Sequence, residues 1–273
     1  MSDIKQKYLS TLADLQHITG IAITLSFETH NQKVESWREE YCSYIFAKIC
    51  LHAQAVLQLS PDLEPRDRYE MESWDISSIA TLIRALIDSY YVFYYLGVDE
   101  VDDNELEFRS ILWDYHAEKQ RLDMLQSMQS KNSIISDIEH NVGNLFNKIS
   151  EHEFYETLTK DKKKKIKQGS LGILHTNSSL SKKAGIDPSY YKVEFNYLSS
   201  YVHAYSYAYS QLRDFRINDK SSLLLIKRNL DICTGYLCYA VRDFVSIMPD
   251  QENNVDKRAK DLIEIWEHVF KNI

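Results

Sequence analysis

The chain has 273 residues, 44% apolar and 26% charged, which allows a substantial core and sets it apart from disordered chains. Its formal net charge of −8 gives no overall nucleic-acid footprint. Only 7 Gly and 4 Pro serve the whole length, so a turn-rich β fold is disfavoured and helices joined by short loops are expected.

Ile4 to Phe27 is the first helical stretch, with apolar residues at Leu9, Leu12, Leu15, Ile18, Ala22 and Leu25. The N-terminal MSDIKQKYLSTLADL lacks the basic-then-apolar build of a signal peptide. Val34 to Leu59 forms a second helix, ended by Pro61 and Pro65. The four cysteines, Cys42, Cys50, Cys233 and Cys238, form no CxxC pair and each falls in a helical pattern. They read as reduced core thiols of a cytoplasmic protein, not as zinc ligands or disulfides.

A third helix runs from about Met71 to Leu96, with Gly97 placed to cap it. Its segment ISSIATLIRALIDSYYVFYYLGV, Ile76 to Val98, carries only two formal charges, Arg84 and Asp88. A helix that is apolar on every face is normally buried, and a buried charge is costly unless paired. The two residues are four apart and share a face. A buried pair bonded to a distant helix is therefore expected. The stretch is long enough to span a bilayer, but its central charges favour the core helix of a soluble protein with no membrane partner.

Asp102 and Asp103 supply N-cap chemistry for a long helix to about Ser130, on which Arg109 and His116 share one face. Ser136 to His152 reads as helical, broken or bent near Gly143. Residues 158–187 read as a lysine-rich loop: Lys160 to Lys192 holds nine lysines against Asp161 and Asp187 alone. Its run Lys162, Lys163, Lys164 and Lys165 is either a solvated loop or a phosphate-contacting arm, with Tyr190 and Tyr191 as stacking surfaces. Asp187-Pro188 starts a helix to about Phe215. Its stretch FNYLSSYVHAYSYAYSQL carries no formal charge. Tyr197, Tyr201, Tyr205 and Tyr209 form a ridge beside a polar strip of Ser199 and His203. This is either a packed helix with tyrosine hydroxyls at its edges, or a pocket in which His203 titrates. Helices from Asn218 or Asp219, stopping before Pro249, and from Val255 to Phe270, complete an all-α single-domain bundle of about eight to ten helices, 1–273.

Two resemblances attach to these residues. Arg84-x3-Asp88 in an apolar helix, followed much later by Tyr197-Leu198-Ser199-x3-His203, resembles a group of uncharacterised bacterial helical proteins, domain of unknown function 5677. That resemblance covers mainly Ile76 to Leu96 and Tyr190 to Ser210, and implies an all-helical protein with no established activity. Asp88 stands where an Arg-x3-Glu is more usual. More remotely, Arg109-x6-His116 is similar to the Arg-x4–6-His hallmark of the HEPN ribonuclease superfamily, common in toxin and antiviral defence systems. Ser110 departs from the Asn, Asp or His usual after that Arg. The second resemblance implies metal-independent RNA cleavage, with His as base and Arg stabilising phosphorane charge, in a cleft commonly formed by a homodimer. Arg84 with His203 offers the same pair of groups.

HExxH, Glu-x-x-His, EF-hand, GxxxxGK[ST], GxGxxG and G-x-S-x-G motifs are absent, so no metal and no cofactor is expected. Two functional classes stay open: a binding or structural protein built on an Arg84–Asp88–His203 pocket, with a partner protein or small ligand, and a defence- or toxin-type ribonuclease acting on RNA. In the second class Arg84, Asp88, His203, Arg109 and His116 are the catalytic candidates. Tyr197, Ser199, Tyr201 and the lysine run are the binding candidates.

Overall fold

The computed structural model describes residues 2–30, 32–33, 36–61, 63, 74–129 and 132–272. The fold is all-α, with no strand among the described residues. In chain order the helices are α1 (Ser2–Glu28), α2 (Trp37–Leu59), α3 (Ile76–Phe93), α4 (Asp103–Ser127), α5 (Ile134–Glu151), α6 (Glu153–Glu156), α7 (Lys160–Lys167), α8 (Asn177–Lys183), α9 (Pro188–Val202), α10 (Ser206–Asp214), α11 (Lys220–Ile247) and α12 (Lys257–Lys271). A π-helical turn, Tyr94–Val98, extends α3, and a 3-10 turn, Pro249–Asn254, precedes α12.

Short side chains start most of these helices by taking up backbone donors that the first turn leaves unpaired. Asp75 accepts from Ser78 N at 3.0 Å, Asp102 from Glu105 N at 2.7 Å and Asp187 from Ser189 N at 2.7 Å. Asp219 caps α11 and Asp256 caps α12 in the same way.

Within the all-α fold the chain groups into two compact units. The first comprises residues 1–98 and 177–273, and the second residues 99–176. In the first, α3 is central and packs against α2, α8, α9 and α11, while α1 packs along α11. Ile79, Ile83, Leu86, Ile87, Tyr90, Tyr91 and Phe93 are fully buried on α3, which explains why it is apolar all round. Phe46 of α2 stacks on Phe244 of α11 at 4.0 Å between centroids, and Tyr91 and Tyr236 share a hydroxyl–hydroxyl hydrogen bond of 3.1 Å. The second unit has its own core of Phe108, Leu112, Tyr115, Ile149, Ile166 and Leu174, drawn from α4, α5, α7 and the segment after it.

Several expectations need correction. Gly97 is no C-cap of positive φ: it sits buried in the π-helical turn, where a Cβ would collide with Cys42 Sγ and Ile247 Cδ1. Helix α5 runs unbroken through Gly143, whose added Cβ would meet open space. The 158–187 segment is not one loop but contains α7 and α8. Each ends on a glycine of positive φ, Gly169 at 69° and Gly185 at 77°. The helix expected to reach Phe215 stops at Val202 and resumes at Ser206. Ala204 carries the reversal at φ 52°, while Tyr205 N–H donates to Ser200 O at 2.9 Å. That six-to-one bond is the Schellman ending usually built on glycine. Pro65 and the beginning of the expected third helix at Met71 lie outside the described residues.

Candidate functional site

Arg84 anchors a polar cluster inside the first unit. From the middle of α3 its Nε donates to Ser199 Oγ of α9 at 3.2 Å, and its Nη1 forms an ion pair with Asp88 one turn on. The flat face of its guanidinium lies 3.8 Å from the centroid of Phe195, also on α9. Asn177, the first residue of α8, donates from Nδ2 to Asp88 Oδ1 at 3.0 Å. Burial pushes the Tyr191 hydroxyl up to about 12, against the opposing pull of the Arg84 cation. One guanidinium thus joins α3, α8 and α9 by a hydrogen bond, an ion pair, a ring contact and a carboxylate relay.

The pair is bonded to distant helices, as expected, but is not uniformly buried. The Arg84 side chain is 14% exposed and that of Asp88 48%. The carboxylate is therefore the open edge of the cluster. Helix α3 keeps its apolar character for packing and lifts Asp88 to the surface, so the desolvation penalty falls mostly on one member.

His203 does not join this cluster through any hydrogen bond, ion pair or ring contact among the described residues. It is the exposed C-cap of α9, its N–H donates to Ser199 O at 3.0 Å, and its ring lies 5.5 Å from that of Tyr205. The tyrosine ridge is cut at the same place. Tyr197 and Tyr201 are 6% and 7% exposed, whereas Tyr205 and Tyr209 are 58% and 62% exposed. Tyr197 accepts a hydrogen bond from Asn229 Nδ2 at 3.1 Å and carries the Arg228 guanidinium 4.2 Å above its ring. Arg228 in turn clasps Glu194 through both carboxylate oxygens, at 2.9 and 3.0 Å. Tyr197 and Tyr201 therefore pack the α9–α11 seam and do not line an open pocket.

Arg109 and His116 belong to the second unit and have separate employments. Arg109 is completely buried and pairs with Asp99 at 2.7 Å and with Glu105 at 2.5 Å. Its charge is already matched by two carboxylates. His116 is half-buried, stacks near Trp113, and faces Gly172, where a Cβ would strike the imidazole. Burial lowers its pKa. In the lysine run, Lys163 lies over the Tyr155 ring and pairs with Glu156 at 3.0 Å, and Lys165 pairs with Asp161 at 2.8 Å. Two of the four lysines expected to reach phosphate thus hold carboxylates of their own unit.

The sequence reading missed Asn177 and Phe195. Asn177 fell in the presumed loop and Phe195 reads as an ordinary apolar position; neither has a spacing that marks it. No cluster of three or more His, Cys, Asp or Glu placed to hold a metal occurs among the described residues. Two helical stretches, Trp37–Leu59 and Ile76–Val98, are long and apolar enough to cross a membrane by length and composition, and the second is 56% buried within the fold.

A family model described as a family of unknown function, DUF5677, matches residues 39–221. The match spans two thirds of the chain and includes both arms of the Arg84–Ser199 contact, so the chain belongs to that family. No curated protein matches, and no solved structure matches. Nothing in these comparisons links the chain to the HEPN superfamily.

Proposed function

We propose that this is a non-catalytic helical binding protein whose ligand docks on the Asp88 edge of the α3–α8–α9 junction. One observation carries the reading: Arg84 is closed in by Ser199, Phe195 and Asp88, while the Asp88 carboxylate remains half exposed. A guanidinium so engaged holds the site in shape. The carboxylate, already oriented by Arg84 and Asn177, accepts hydrogen bonds from outside at little cost in ordering. The ligand class is a polar molecule offering hydrogen-bond donors. Four free, buried cysteines fit a reducing, cytoplasmic setting.

A second reading is favoured by the exposed His203, one turn beyond Ser199 and followed by the exposed Tyr205, Tyr207 and Tyr209. It is a metal-independent ribonuclease in which His203 moves the 2′-hydroxyl proton and the tyrosines stack bases. Arg109 and His116 are poor candidates for that role, because the Arg109 charge is buried and matched.

One experiment separates the two. The protein is titrated with short single-stranded RNA in EDTA, following melting temperature and RNA length. Binding without cleavage, lost in Asp88→Ala, supports the binding protein. Cleavage abolished by His203→Ala but retained by His116→Ala supports the ribonuclease, with a rate loss of about 10²–10⁴. Cleavage lost only in His116→Ala would overturn both assignments.

A further inference from the structure

Helix α10 is lightly held. Ala208 is its one buried residue, no side chain caps its start, and residues of positive φ bracket it, Ala204 at 52° and Asn218 at 63°. It packs on α9, and between it and α11 lies a pocket of about 440 Å³, a size that holds a small molecule. Each wall is one helix face. Gln211, Asp214 and Phe215 come from α10 and its C-cap; Leu224, Leu225 and Arg228 come from α11. Arg216 N–H donates to Ser222 Oγ at 2.8 Å and ties the walls together where the chain turns between them. None of these residues belongs to the Arg84 cluster.

Arg228 is held in place but not used up. Its guanidinium face rests 4.2 Å above the Tyr197 ring, and both of its bonds to Glu194 leave from one nitrogen, Nη2. Its Nε and Nη1 donate to nothing among the described residues, and the side chain is 40% exposed where it lines the pocket. The Gln211 amide, only partly exposed, also has no hydrogen-bond partner among the described residues. The Asp214 carboxylate meets only its neighbour Arg213, at 3.4 Å. Phe215, Leu224 and Leu225 supply the apolar part of the lining. The pocket thus offers fixed, unused donors and acceptors, apolar surface, and charges that are already matched.

We infer that this pocket takes a neutral polyhydroxylated molecule, a sugar either free or as the ribose of a nucleoside. A sugar hydroxyl accepts and donates at once. It accepts from Arg228 and Gln211 and donates to the Asp214 carboxylate or to Gln211 Oε1. The C–H face of the same ring suits Phe215, Leu224 and Leu225. A phosphate dianion fits worse, because Glu194 already answers the Arg228 charge and Asp214 repels it. A wholly apolar ligand would cover the Arg228 and Gln211 donors and leave them nothing to bond. A sugar that touches both walls also ties α10 to α11, so amide exchange across Ser206–Asp214 slows when it binds.

Saturation-transfer NMR of the full chain with D-ribose, D-glucose and adenosine tests the inference. Saturation of sugar protons is expected in at least one of the three, undiminished by inorganic phosphate. Ribose or glucose would mark a free sugar as the ligand, and adenosine alone a nucleoside. The dissociation constant of that probe should rise about tenfold or more in Gln211→Ala and in Asp214→Ala. Alanine suits a helix, so both variants should keep the helical circular dichroism of the parent. Silence from all three probes overturns the inference. So does saturation confined to the adenine protons, displacement by phosphate, or binding indifferent to both substitutions. Exchange that slows only outside α10 overturns it too. Sugar binding lost in Asp88→Ala would place the ligand at the α3–α8–α9 junction and would likewise overturn this site.

Discussion

At the scale of single residues, two arginines show how exposure decides the worth of an ion pair. Arg109 has no access to water and balances Asp99 and Glu105. Arg109→Ala leaves those carboxylates without their cation, and a loss of about 3–5 kcal/mol is expected from urea unfolding. Asp88→Ala removes a half-exposed partner while Arg84 keeps Ser199 and Phe195, so a loss of only about 1 kcal/mol is expected. Equal losses would contradict the exposure argument. The thiols follow the same logic. Burial pushes Cys42, Cys50 and Cys233 up to about 12 and raises Cys238 as well. A thiolate reagent at pH 8 should therefore label none of the four in the native state and all four in denaturant. The charged pair on α3 was legible in the sequence because two charges stood out in an apolar helix. Their unequal exposure was not, since it depends on where α8 and α9 pack.

Helix starts were easier to read than helix ends. Asp102, Asp187 and Asp219 announce themselves because an N-cap needs a short polar side chain. The end of α9 gave no such signal, because Ala204 fills a position that glycine normally takes. The tyrosine ridge was drawn across that break, and half of it proved buried and half exposed. Ala204→Gly should relieve the left-handed strain and stabilise the protein by about 0.5–1 kcal/mol, read as a raised melting temperature. A lowered one would mean that the turn tolerates alanine without strain. Helix α4 offers a pH test. Burial lowers the His116 imidazole from its usual 6.5, so the unfolded chain takes up a proton before the folded one does. The stability this confers is present above about pH 6.5 and is lost as pH falls through the lower folded value. The melting temperature should drop between about pH 7 and about 5, and drop less in His116→Asn.

For the whole molecule, the all-α class followed from scarce glycine and proline, but the division into two units did not. Nothing in composition marks residues 98–99 or 176–177 as boundaries. The second unit is read off the ribosome in one piece, from 99 to 176, whereas the first is interrupted by it. Helix α1 meets its main partner only when α11 emerges, and the Thr11–Asp231 hydrogen bond joins residues 220 apart. Truncation at residue 218 should therefore leave α1 without its main partner, while α3 keeps α2. Slow, complete hydrogen exchange in α1 of the full chain and fast exchange in the truncated one would check this. A nascent chain must accordingly keep its first three helices out of trouble while all of residues 99–176 are made. For this protein the order of synthesis and the order of completion run in opposite directions: the helices made first are finished last.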